Sequence, residues 1–307
     1  VDRAPAVITD LLNHSNYVWA AQNCKQAADA YIDLGLVLRD VGKLDESIQY
    51  FREALAVDPE SLRARHNLGV ALFERGKFFV ASRNNEPFEI LQETLKRATV
   101  PYPLAHFNLG NLYYVRNEFD RASEAYRQAV TLKPDFAVAH RNLANALARR
   151  GALELARSHY QKAIDNGDTD VATYHNFGVT LLRKGMFEEA AKAFEKATEQ
   201  RSTDGECWRG LGLARFAAES YDAARKAFLT ALHVRGGKYP EARHDLGRVQ
   251  LKVGENETAV QTIEQAIAEM GGPFPRAYFH LSKAFTAIGD FAAARKAMTT
   301  SITQHGD

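Results

Sequence analysis

The chain has 307 residues with 39 Lys and Arg against 38 Asp and Glu, and it is 46% apolar, 10% aromatic and 25% charged. That balance belongs to an ordered protein and excludes the disordered, collagen-like and membrane-spanning classes. A formal net charge of +1 supplies no general attraction to nucleic acid or to an anionic membrane, so any electrostatic preference must come from how the charges are arranged.

The first residues, Val1-Asp2-Arg3-Ala4-Pro5, carry neither an initiator Met nor an apolar leader, which reads as a processed chain or an excised fragment. No window approaches the roughly 18 consecutive apolar residues of a membrane span, so no membrane insertion is expected. Residues 1–27 read as an N-terminal helical cap or partial repeat. Cys24 and Cys207 are the only thiols. With several repeats between them they would lie far beyond the roughly 7 Å Cα limit of a disulfide. Two unpaired thiols lean toward a reducing intracellular compartment.

From residue 28 onward the chain repeats itself. A Leu-Gly-like pair recurs as Leu34-Gly35, Leu68-Gly69, Leu109-Gly110, Leu143-Ala144, Phe177-Gly178, Leu211-Gly212, Leu246-Gly247 and Leu281-Ser282, at steps of 34, 41, 34, 34, 34, 35 and 35 residues. The copies begin near residues 28, 62, 103, 137, 171, 205, 240 and 275. Downstream of most pairs come a Gly, an aromatic residue, an Ala, a second aromatic and another Ala, as in Gly185, Phe187, Ala190, Phe194 and Ala197. Each copy holds two amphipathic helical patterns separated by a short turn, which makes a helical hairpin. The Gly of the Leu-Gly pair is expected where the first helix approaches the second, with an Ala of the second helix filling the contact. Leu38, Phe51, Tyr113, Tyr126, Leu147, Tyr160, Leu181 and Phe228 are expected to form a core shared between neighbouring hairpins. Pro59 and Pro134 end second helices. The 41-residue step places an insertion at about 78–87, read either as a longer turn or as a partner-contacting finger.

Catalytic and metal-binding patterns are missing from the sequence. It has no His-Glu-x-x-His pairing, phosphate-binding Gly-x-x-x-x-Gly-Lys, Gly-x-Ser-x-Gly elbow or metal-type Cys spacing. His66, His106, His140, His175 and His244 recur because the repeat places them on successive first helices. At about 10 Å spacing, single His cannot share one ion whose ligands lie near 2 Å. No enzymatic activity, metal or cofactor is expected, because stacked hairpins offer an open groove rather than an enclosed pocket.

The pattern resembles the tetratricopeptide repeat family over residues 28–307, most faithfully in Tyr31 to Pro59, His106 to Pro134 and Tyr174 to Gln200. The resemblance implies an all-α, right-handed α-solenoid, a superhelix of stacked antiparallel helix hairpins whose first helices line a concave wall. His140 and Arg243 stand where an opening aromatic is usual, Arg215 replaces an apolar core residue, and Asn256 replaces a Tyr or Phe. These departures predict weaker local packing.

The slot before each Leu-Gly pair reads Asp33, Asn67, Asn108, Asn142, Asn176, Gly210, Asp245 and His280. An Asn amide offers an acceptor and a donor side by side, so it can pair with a peptide unit. Roughly 8–10 Å between packed helices would set one Asn against about every third residue of an extended ligand. The same Asn can instead hydrogen-bond a neighbouring helix turn. The run Asn67, Asn108, Asn142 and Asn176 matches the asparagine ladder by which the O-linked N-acetylglucosamine transferase superhelix holds extended peptides.

Further first-helix residues of the third to fifth copies are Phe107, Asn111, Tyr114, Arg141, Asn145, Arg149, His175 and Arg183, with no acid among them. Arg63 and His66 extend the strip on one side; Arg209, Arg248, Lys252 and Lys283 extend it on the other, mixed with Glu206, Glu241 and Asp245. Such a strip favours an acidic partner, although solvated Arg on helix faces are individually worth little. Asn111 and Asn145 also match one slot of the family's carboxylate clamp, but Phe107 replaces its first Lys, so chaperone-tail binding is not expected. The sequence therefore predicts a non-enzymatic scaffold or adaptor that holds an extended, partly acidic segment of another protein. The alternatives are the substrate-selecting arm of a larger enzyme such as a glycosyltransferase, and a subunit that self-associates through its last copy, which closes at Ala297-Met298-Thr299-Thr300-Ser301-Ile302 without a polar capping helix.

Overall fold

The computed structural model describes residues 27–77 and 85–304. Among these residues every regular element is an α-helix, and their contacts group the chain into two compact units, Val1–Arg150 and Gly151–Asp307.

The first unit contains α1 (Ala27–Asp40), α2 (Leu44–Val57), α3 (Leu62–Lys77), α4 (Glu86–Arg97), α5 (Pro103–Val115), α6 (Phe119–Leu132) and α7 (Ala137–Arg149). The second contains α8 (Leu153–Asp165), α9 (Val171–Arg183), α10 (Phe187–Gln200), α11 (Gly205–Ala217), α12 (Tyr221–Val234), α13 (Pro240–Lys252), α14 (Asn256–Met270), α15 (Pro275–Ala287) and α16 (Phe291–Thr303). Within each unit helices pack against their sequence neighbours. In addition α1, α3, α5 and α7 touch in succession within the first unit, and α9, α11, α13 and α15 do so within the second. First helices thus meet first helices, while second helices of successive hairpins are held further apart. In each unit the first helices therefore form the inner side of the stack.

Packing explains why the Leu-Gly pair recurs. A Cβ on Gly35 would lie 2.6 Å from the Phe51 ring, one on Gly178 2.8 Å from Phe194, and one on Gly212 2.5 Å from Phe228. The atom facing the glycine is thus the aromatic of the second helix. The expected Ala is buried nearby, but the ring, the larger body, takes the space that the missing side chain leaves. Core clusters run across hairpin boundaries: Ile32, Phe51, Leu68 and Leu72 join α1, α2 and α3, and Phe228, Leu232, Leu246 and Val249 join α12 to α13. No single hairpin buries its own apolar face, which is why the hairpins stack.

The departures from the repeat have structural answers. His140 Nε2 lies 2.9 Å from the Pro134 carbonyl, and Trp208 Nε1 donates to the Ser202 carbonyl at 2.7 Å. Arg65 and Arg243 likewise donate to the carbonyls of Pro59 and Gly237. Each of these four opening residues reaches the carbonyl six positions earlier and so ties the helix start to the preceding turn. His140 and Arg243 therefore do what Trp208 does. Arg215 is not packed as a core residue; it pairs with Glu188 at 2.9 Å and Glu195 at 2.5 Å on α10. The expected insertion falls mostly outside the described residues, but Glu86 and Pro87 already belong to α4, with Pro87 in its first turn where a missing N–H costs nothing. Cys24 also lies outside them, and Cys207 is buried and free. Among the described residues no helix is long and apolar enough to cross a membrane, and no group of three or more His, Cys, Asp or Glu could hold a metal ion.

Candidate functional site

The ladder slot lies at the seam between successive first helices, and the structure places the predicted amides in different situations. Asn67 is buried. Its Nδ2 donates to the Arg63 carbonyl one turn back at 2.9 Å, and its Oδ1 accepts from Arg39 at 3.4 Å. This residue fastens a helix turn, as the alternative reading of the slot anticipates. Asn108 is half-buried, with Nδ2 3.3 Å from His66 Nε2 and Oδ1 accepting from Asn111 Nδ2 at 3.3 Å. Asn111 Oδ1 in turn accepts from the Tyr126 hydroxyl at 2.7 Å and from Asn142 Nδ2 at 3.0 Å.

His66, Asn108, Asn111, Asn142 and Tyr126 thus form one hydrogen-bonded chain across α3, α5, α6 and α7. Beside it opens a recess of about 320 Å³ lined by Phe73, Asn111, Tyr114, Val115, Tyr126, Asn142 and Asn145. No acid is among these described residues. The Tyr114 ring stands edge-on to Phe119 at 5.3 Å, and the Arg149 guanidinium lies 5.0 Å over the same Phe119. Half-buried Arg141 shares α7 with Asn142 and Asn145. The half-buried Phe107 ring packs on Tyr126 at 5.9 Å and Phe136 at 5.1 Å.

In the second unit, His175 and Asn176 sit side by side on α9. The His175 ring is edge-on to Phe194 at 5.6 Å and its Nδ1 is 3.4 Å from Asn176 Oδ1. Arg183, in the last turn of α9, is exposed.

Two residues of the chain carry more than the sequence indicated. Burial pushes the Tyr126 hydroxyl well above the usual tyrosine range, against an opposing effect of the Asn142 amide, so it stays protonated and donates. Its signal in the sequence is a Tyr, shared with Tyr160, in a slot that holds Phe51, Phe194 and Phe228 in three other copies. His66 was read as part of a basic strip, but burial first, and the Arg39 charge second, lower its pKa to about 4, so it is neutral at pH 7. With Nε2 facing an amide donor, its hydrogen belongs on Nδ1, a buried atom with no partner among the described residues.

Three arginines on the strip's flanks have acid partners. Arg63 pairs with Asp29 at 3.2 Å and Asp33 at 2.7 Å, and Arg209 and Arg248 both bond Asp245, at 2.8 and 2.9 Å. Asp33 and Asp245 of the ladder slot itself, with Asp29, thus answer these three cations.

The model of the tetratricopeptide repeat family matches residues 32–78, 90–135, 107–171, 175–243 and 244–305. The chain belongs to the tetratricopeptide repeat family. No curated protein matches it. Among solved structures, the APC/C hetero-tetramer Cut9-Hcn1 is similar with a TM-score of 0.53 and 15% identity, over 95% of this chain and 56% of the other. MamA residues 41 to the end from Desulfovibrio magneticus RS-1 gives 0.53 and 16% identity over 56% of this chain and 97% of the other. The pilF protein of Pseudomonas aeruginosa gives 0.52 and 22% over 64% and 88%. At these identities the likeness is one of fold. Tetratricopeptide repeats are protein-interaction scaffolds, and the fold is in general a non-catalytic one.

Proposed function

We propose that this tetratricopeptide repeat protein is a non-enzymatic adaptor whose first-helix faces hold an extended, partly acidic segment of another protein. The observation that carries the reading is the joined amide set Asn108, Asn111 and Asn142 beside a recess with no acid among its described lining residues. Intramolecular bonds fix these carboxamides in one orientation, so little rotamer freedom is lost when a ligand binds. Each amide also keeps capacity: Asn142 spends one of its two N–H groups on Asn111, and a carboxamide oxygen accepts twice. A peptide backbone needs such paired donors and acceptors whatever its side chains are. Tyr114 and Asn145 would border the ligand, and Arg141 and Arg149 on α7 supply positive charge for acidic residues in it. In the second unit Asn176, His175 and Arg183 would contribute in the same way from α9. No nucleic-acid partner and no cofactor belongs to this reading.

Simultaneous N108A, N142A and N176A substitution should weaken capture of the native partner severalfold or more, read by affinity purification from the native source and by titration with the recovered partner. Unchanged affinity in a variant that melts like the wild type rejects the amides as the contact.

A second reading, self-association, has one supporting observation: on α16, Phe291 is 71% and Ile302 66% exposed. Light scattering across a concentration series tests it; a strict monomer at high concentration counts against it.

A further inference from the structure

In the second unit the ladder slot holds an acid, Asp245, on α13. In the sequence this acid counts against anion binding. Asp245 is buried, and its carboxylate bridges two guanidinium groups, accepting from Arg209 Nε of α11 at 2.8 Å and from Arg248 Nη1 at 2.9 Å. Burial alone would raise its pKa, but a hydrogen bond from His244 and the charges of Arg209 and Arg248 outweigh that and hold it low, so it stays ionised. Of the two histidines beside it, His280 adds no charge, because burial lowers its pKa to about 4. His280 Nδ1 faces both the Arg276 carbonyl at 2.8 Å and His244 Nε2 at 3.0 Å, which places a hydrogen on His280 Nδ1 and leaves His244 Nε2 as the acceptor. His244 Nδ1 then carries its hydrogen toward Asp245, 3.5 Å away.

The acid is inside and the cations are outside: the Arg209 and Arg248 side chains are 27% and 26% exposed, against 3% for Asp245. One buried negative charge between two positive ones leaves a formal +1. Each guanidinium spends one of its five N–H groups on Asp245 and is held in place by doing so, Arg248 further by lying 4.5 Å over the Phe216 ring. Lys283, exposed on α15 with its Nζ 4.4 Å over Phe279, adds a third cation on the same first-helix face. Glu206, which also acts on Arg209, is answered by Arg235 at 3.6 Å.

We propose that Arg209 and Arg248, with Lys283 at the rim, form a preorganised receptor for a carboxylate of an acidic protein segment, and that Asp245 is its internal counter-charge. Asp245 aims both forks and at the same time limits the affinity, because an incoming anion meets it from the other side. A carboxylate fits better than phosphate: the forks match its planar oxygens, and a dianion would double the repulsion from Asp245. This site is separate from the amide set of the first unit.

The test is calorimetric titration of the full chain with hexaglutamate at low salt, with inorganic phosphate as a competitor. Wild-type protein should bind the peptide, R248Q should bind about tenfold more weakly, and K283Q, an exposed change that leaves the buried bridge intact, about threefold more weakly. D245N should bind about tenfold more tightly, a gain that damage to the fold cannot mimic. Unchanged binding in R248Q and K283Q, or no gain in D245N, overturns the proposal. Phosphate that binds as well as hexaglutamate overturns the carboxylate assignment. Hexaglutamate binding that N108A/N142A abolishes and R248Q spares would place acid recognition in the first unit, rejecting this site while leaving the adaptor reading intact.

Discussion

The ring of Tyr126 occupies the space in which a side chain on Gly110 would begin: a Cβ there would lie 2.6 Å from ring carbons Cδ1 and Cε1. One contact thus sets how closely α5 and α6 approach and where the Tyr126 hydroxyl reaches Asn111. Gly110→Ala should destabilise the protein by about 1–3 kcal/mol, the usual cost of overpacking. Gly76→Ala, at a helical position with nothing within 4 Å among the described residues, should stabilise it by up to about 1 kcal/mol. Denaturant unfolding of the two variants should shift in opposite directions, and shifts of the same sign would refute the packing argument.

Tyr126→Phe removes one donor and leaves Asn111 Oδ1 with Asn142 alone. A loss of about 1 kcal/mol is expected. Asn111→Ala in the Tyr126→Phe background should cost less than in the wild type, because the shared bond is already gone. A double-mutant cycle with no coupling between the two would show that the bond does not form in solution.

Glu219 adopts φ 59° in the turn before α12, in a slot that other copies fill with Gly185 at φ 76° and Gly254 at φ 85°. A left-handed backbone costs a residue with a side chain about 1–2 kcal/mol, so Glu219→Gly should raise the melting temperature despite the greater freedom of the unfolded chain. A lowered melting temperature would show that the Glu219 side chain earns its place by contacts that outweigh the strain.

Acidification should destabilise the chain through His66. Its folded-state pKa is lowered from 6.5 to about 4, so between those values the unfolded chain binds the proton and the folded chain does not. Stability is full above about pH 6.5 and falls as the pH drops toward 4, with about 2 kcal/mol lost at pH 5 from this group. His66→Gln should remove that part of the slope. Urea unfolding at pH 7 and pH 5 reads it directly, and equal slopes for the two proteins would show that His66 is not the group responsible.

Period, helix pairing and the shared core were legible in the sequence because they rest on local spacing. Leu34-Gly35 and its seven counterparts mark the first helices, and apolar residues at helical intervals mark the faces that must be buried. The ladder positions were legible for the same reason, as a slot in a frame. What Asn67, Asn108 and Asn142 do in that slot was not. Asn67 fastens its own helix turn and accepts from Arg39, Asn108 joins His66 and Asn111, and Asn142 joins Asn111, so each meets a partner some thirty or forty residues away. Asp245 reads in sequence as an acid diluting a basic strip and in the fold as the buried link between two arginines. Spacing along the chain determines which face a residue joins. Hydrogen bonding and charge compensation depend on which side chains other helices bring to that face, and only the stacking of the hairpins decides that.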